Sequence, residues 1–309
     1  MTVASSAPGQ RIADYWLHEA VPARSTENAY RATHRVLPRS ARIAVVSAEF
    51  AGSRHAEVQL MREACVLETV HHAGVPRIYE CGLHEQRPWV ASEHITGAAI
   101  EQVAARRPLP VGDALAVVRD AAAILAHAHR RGVAHRDITP RSILRTAHRG
   151  FPVCIIGWGD AAVRGSALPR GDDPDARFYR APEAADGEGG SGPADVFALG
   201  AVMFEAATLA LPDPVQKFPG LPPAFHQLLA GMLARSPAAR PTADALHDTA
   251  SRLAELYSGA DASIEEVEVE LVDISRSPLG LPDLPGWAPP ERLPRSSGTF
   301  PTHRLRKGS

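Results

Sequence analysis

Three histidines, His127, His129 and His135, cluster in the middle of the chain. They lead into residues 133–144, VAHRDITPRSIL, a run dense in ionisable and hydroxyl side chains. Imidazoles this close in sequence could ligate a metal, but no carboxylate or thiol completes a set, so structural roles are expected and no metal site. Cys65, Cys81 and Cys154 are widely spaced in apolar contexts. They match neither a disulfide framework nor a zinc motif, and are expected as reduced core cysteines. Lysine occurs only at 217 and 307. Any mechanism that needs a lysine in the first two thirds of the chain is therefore excluded.

The elements that must position these residues fall into two blocks. From 11 to about 95 the pattern is strand-like, with short runs at 42–46, 77–81 and 89–93. One helix interrupts it, 54–70, where Val58, Met61, Cys65 and Leu67 recur at helical spacing. From about 98 the pattern is helical. Residues 111–131 carry Leu115, Val118, Ala122, Leu125 and His129 along one stripe, and helices near 194–209, 223–234 and 242–257 follow. Strands followed by helices predict an α+β protein of two lobes. We divide the chain into a flexible arm (1–10), a β-rich N-lobe (11–96), a larger helical C-lobe (97–257) and a tail (258–309), acidic then Pro-rich and mostly disordered.

Within that frame, residues 133–144 resemble the catalytic loop of protein kinases, H-R-D-L-K-P-x-N-I-L. Further markers fall in the family's order. Arg62-Glu63-Ala64 sits where its helix-C glutamate belongs, and Ala181-Pro182-Glu183 is similar to the A-P-E closing the activation segment. Asp195 through Gly200 is similar to D-x-[FWY]-x-x-G, and Ser236 to Pro241 carries the late arginine, Arg240. The resemblance covers about residues 11–257 and is nearest to bacterial Ser/Thr kinases. It implies a two-lobed kinase-like fold with a small N-lobe bearing helix C.

The resemblance also says what ATP·Mg²⁺ chemistry requires, and most of it is missing. Phosphoryl transfer depends on positioning and electrostatics around the nucleotide and metal. The three glycine positions of the phosphate loop are Pro22, Arg24 and Glu27. The V-A-I-K stretch reads Ala41-Arg42-Ile43-Ala44, so Ala44 replaces the phosphate-gripping lysine and Arg42 projects into the adenine pocket, with Glu63 as its expected partner. The metal-binding aspartate of D-F-G is Gly157 and the catalytic-loop asparagine is Ser142. Asp137 keeps the base position, beside His135 and Arg136, but its supporting lysine and threonine are Thr139 and Ala176. One preorganised electrostatic contact contributes ~3–4 kcal/mol, so losing the lysine and both metal ligands costs ~10 kcal/mol if the effects add.

What is retained is structural: Glu183 with Arg240 as a buried pair, Asp195 on the catalytic-loop backbone, and Leu67, His135 and Trp158 in the apolar spine between lobes. These absences imply a pseudokinase acting as scaffold or allosteric partner, with no cofactor. The alternative is a degenerate Ser/Thr kinase binding ATP weakly, with Mg²⁺. A protein partner is expected, such as an active kinase or a phosphothreonine-binding module reading Thr299 and Thr302. Net charge is −2, which argues against nucleic acid or a membrane surface as partner. The lack of a long apolar run or a signal-peptide core implies the cytoplasm. Residues 264–274, IEEVEVELVDI, alternate apolar and acidic, either as a segment folded back on the domain or as a docking strand. With Ser166 and Tyr179 as its only hydroxyls, the activation segment offers Arg136 few phosphate partners.

Overall fold

The computed structural model describes residues 9–147, 149–163, 175–185, 192–211 and 220–257. Residues 264–274, Thr299, Thr302 and Ser166 lie outside them.

The N-terminal half is built on an antiparallel sheet. Its strands are β1 (Arg11–Ile12), β2 (Tyr15–Val21), β3 (Glu27–His34), β4 (Ser40–Val46), β5 (Ile78–His84) and β6 (Arg87–Glu93), in the order β1-β2-β3-β4-β6-β5. Helix α1 (Arg54–Val70) crosses between β4 and β5. Period two sorts β4 onto two apolar surfaces. Ala41, Ile43 and Val45 pack with Tyr15, Leu17, Tyr30 and Trp89. Ala44 and Val46 pack with Ala29 and Val90 against Ala56, Leu60 and Ala64 of α1. Positions 42 and 44 therefore share the face that looks toward α1.

Helix α1 starts at Ser53, whose side chain accepts the Ala56 N–H, and stops where His71 turns left-handed at φ 41°. Its buried face corrects the stripe read from spacing in part: Leu67 is buried, but Val58 is 44% exposed and Cys65 is also exposed. Two stripes satisfy helical spacing here. The one holding Ala56 and Ala64 turns inward because small side chains let the helix approach Ala44 closely. The cysteine expectation is corrected with it, since Cys81 on β5 is exposed and only Cys154 is in the core. Burial pushes the Cys154 thiol up to about 12.

The C-terminal half is helical, with α2 (Ile100–Ala104), α3 (Val111–Arg130), α4 (Pro182–Ala185), α5 (Gly192–Thr208), α6 (Pro223–Met232) and α7 (Ala243–Tyr257). Leu115, Val118, Ala122 and Leu125 of α3 are wholly buried. Two small ladders lie among the helices: β7 (Ala98–Ala99) with β9 (Ile143–Arg145) and β10 (Val153–Ile155), and β8 (Val133–Ala134) with β11 (Ala162–Val163). They fix the ends of two loops, 135–142 and 156–161, that carry His135, Arg136, Asp137, Ser142 and Gly157. No helix among the described residues is long and apolar enough to cross a membrane.

Candidate functional site

Loop 135–142 is held from beneath by one carboxylate. Asp195, 1% exposed, accepts the N–H of His135 and of Arg136, each at 2.8 Å, and His129 Nε2 donates to it at 2.8 Å. Burial alone would raise its carboxyl pKa; the hydrogen bond and charge of His129 outweigh that and hold it below the usual range. Arg136 can then adopt φ 71°, a costly turn for a non-glycine residue. His135 lies at 0% exposure and uses both ring nitrogens. Nε2–H donates to Ile156 O at 3.0 Å and Nδ1 accepts the Asp137 N–H at 3.2 Å. Its ring meets Trp158 edge-on at 4.6 Å, in the same interior as Leu67. Asp137 is thus fixed through its backbone, half-buried within the loop.

At positions 44, 142 and 157 the structure shows only short side chains or groups engaged within the chain. Ala44 is buried under α1. Ser142 Oγ accepts the Thr139 N–H at 2.9 Å and donates to Thr139 O at 3.0 Å, closing its own loop. Gly157 sits at φ 83°, and a Cβ built there meets nothing within 4 Å. Among the described residues no cluster of three or more His, Cys, Asp or Glu is arranged to hold a metal ion.

Arginines and glutamates fill the cleft above these positions. Arg24, in the β2–β3 hairpin loop, donates from Nη1 to Glu63 Oε2 at 3.0 Å and lies 3.7 Å from Glu27 Oε2. Its guanidinium rests against Gly159, where any Cβ would overlap it. Arg42 does turn toward the cleft, but its partner is Glu27 at 2.9 Å, not Glu63 as expected. The reason is reach and competition: Arg24 descends from the hairpin onto Glu63, while Glu27, 5% exposed at the start of β3, needs a cation of its own. Burial would raise the Glu63 carboxyl; the charges of Arg24 and Arg42 and the Arg24 hydrogen bond hold it low instead. For the Arg24 guanidinium, burial works against the charge, and Glu63, Glu27 and Asp160 together raise its pKa.

Arg24 is the residue that sequence reasoning placed but did not use. In sequence it reads as a missing phosphate-loop glycine, although a cation in that loop opposite a glutamate lacking its lysine is itself a signal.

Farther down, Arg240 makes a two-pronged pair with Glu183, at 2.6 and 2.8 Å, and donates to the carbonyls of Ala234, Pro193 and Arg235. Its guanidinium also stacks 4.9 Å over Phe197. The Tyr179 hydroxyl donates to Glu205 at 2.6 Å, and burial raises its pKa. Arg136 donates to Asp160 O at 3.3 Å.

Comparison with known proteins places this geometry. The protein kinase domain family profile matches residues 28–217. The chain is similar to the serine/threonine-protein kinase PknJ of Mycobacterium tuberculosis, 28% identical over 277 residues, covering 82% of this chain and 47% of that one. It is similar to PrkC of Bacillus subtilis, 26% identical over 206 residues, covering 66% and 32%. This chain therefore spans about half or less of the length of these relatives. A crystal structure of the Mycobacterium tuberculosis PknI kinase domain superimposes with TM-score 0.61 at 24% identity, over 81% of this chain and 99% of that one. The same α+β, two-lobed fold is present in both.

Proposed function

The chain belongs to the protein kinase domain family, and from that premise we propose that it is a pseudokinase, a bacterial Ser/Thr kinase-like domain that signals by binding rather than by phosphoryl transfer. The observation that carries this reading is the ion-paired Arg24 lying between Glu63 and Gly159. The residues present do not fit ATP·Mg²⁺. Both cleft cations, Arg24 and Arg42, are committed to carboxylates, and Arg24 also feels the charge of Asp160. Glu27 and Glu63 hold both guanidiniums in ion pairs, so a triphosphate would have to displace a carboxylate to reach either cation. The aligned metal positions contribute a bare glycine and a serine folded back on its own loop.

The fold is nonetheless held in detail around Asp195, Glu183 and Arg240, as a scaffold requires. On this reading the domain acts in the cytoplasm as scaffold or allosteric partner of another protein, an active kinase or a phosphothreonine-binding module. A second reading, a degenerate Ser/Thr kinase with residual transfer, is favoured by the firmly held Asp137 and by the relatives' description as kinases.

A phosphotransfer assay with γ-labelled ATP, on the chain itself and on a generic basic protein substrate, separates the two. With Mg²⁺ or Mn²⁺, wild type and Asp137→Asn are expected to incorporate the same background label. Incorporation in wild type that disappears in Asp137→Asn would establish the second reading.

A further inference from the structure

Arg24 touches three separately supported pieces of the molecule. It is carried by the hairpin between β2 and β3, hydrogen-bonds Glu63 on α1, and lies on Gly159 in the turn after β10. Asp160, the next residue of that turn, adds its charge to the same guanidinium. Two further ties run beside this one. Thr26 Oγ1 donates to Gln59 of α1 at 3.2 Å, and Arg62 of α1 donates to Ala161 O from both Nε and Nη2, at 3.3 and 3.1 Å. The hairpin is thereby fastened to the helix and the helix to the turn, entirely by side chains of the chain itself. Arg24 itself reaches all three.

We propose that Arg24 is a built-in clasp that keeps the hairpin, α1 and the 157–161 turn closed together without any nucleotide. This conformational device rests on the reading of the cleft given above. Because the Glu63 side chain is only 16% exposed and its carboxylate stays ionised, withdrawing Arg24 strips that charge of its hydrogen-bonded partner. Opening the hairpin therefore carries an electrostatic cost, and α1 stays set against β4 and the turn. Any partner that reads the position of α1 meets it in one state whatever the nucleotide level.

Hydrogen–deuterium exchange on the full chain, with and without ATP·Mg²⁺, tests the clasp. In Arg24→Met, amides of α1 and of 157–163 are expected to exchange about tenfold faster, the scale of one coupling between adjacent partly buried charges. Helices α3 and α5 should keep their wild-type rates, which separates loosening from unfolding. Glu63→Gln should loosen the same segments, and the double variant no more than either alone. Unchanged exchange in both single variants, or fully additive effects, would overturn the clasp. Extra protection of wild-type α1 by ATP·Mg²⁺, with the Arg24 effect intact, would uphold the clasp while overturning the inactive-site reading.

Discussion

Arg240→Ala is expected to destabilise the domain by about 3–5 kcal/mol, the usual cost of breaking a buried pair from one side. Arg240's side chain is fully buried, while Glu183 retains 15% exposure. Its removal would strand Glu183 Oε1 and Oε2 and the carbonyls of Ala234, Pro193 and Arg235. For a domain of this size such a loss corresponds to a fall in Tm of about 10 °C. Arg240→Lys should recover little, because an ammonium cannot reproduce the two-pronged grip. The Arg240 hydrogen bonds are also the main reason the Glu183 carboxyl lies below the ordinary range, against burial that would raise it. A group with a depressed folded pKa stabilises fully above its unfolded pKa, near 4.3, and loses that contribution as pH falls through the folded value. The wild-type and Arg240→Ala difference should therefore persist at pH 7 and shrink at strongly acid pH. Urea denaturation at both pH values measures it, and a loss below about 1 kcal/mol at pH 7 would contradict the buried-pair account.

The second large effect is a gain. Combining Arg24→Gly, Ala44→Lys, Ser142→Asn and Gly157→Asp should create nucleotide-dependent stabilisation, which is not expected in wild type. Each change has a structural reason. Removing Arg24 frees Glu63 and the space over Gly159, and Lys at 44 on the same β4 face becomes Glu63's new partner. An aspartate at 157 enters open space and tolerates the left-handed backbone there better than most residues. At ATP near 100 times its Kd, the refitted protein should gain about 2.7 kcal/mol, seen as a Tm rise of several degrees that chelator abolishes. A fully folded refitted protein with no such rise would show that the cleft is closed by something other than these four positions.

Much of the scaffold was legible because periodicity and motif order report it directly. The α3 stripe from Leu115 to Leu125 is continuous and wholly buried, so spacing alone sufficed. Helix α1 was legible in extent and not in orientation. Of the stripe read from spacing Leu67 is buried, whereas Val58 and Cys65 are exposed, because packing on Ala44 turns Ala56, Leu60 and Ala64 inward. The candidate site divides in the same way. Ala44, Ser142 and Gly157 follow from counting along aligned motifs. The pairing of Arg24 with Glu63, and of Arg42 with Glu27, depends on how far a hairpin loop folds down, and no periodic signal encodes that. Charge alone suggested that Glu63 needs a cation; geometry decided which one.

The most direct test of the account is a thermal titration of wild type with ATP and with ADP, each in Mg²⁺, Mn²⁺ and EDTA, beside Arg42→Ala. The account predicts no shift in Tm for wild type at any nucleotide concentration up to the millimolar range typical of weak ligands (about −4 kcal/mol in binding free energy). A metal-dependent rise in wild type would contradict the central claim that this chain's own arginines and glutamates occupy the place of ATP·Mg²⁺.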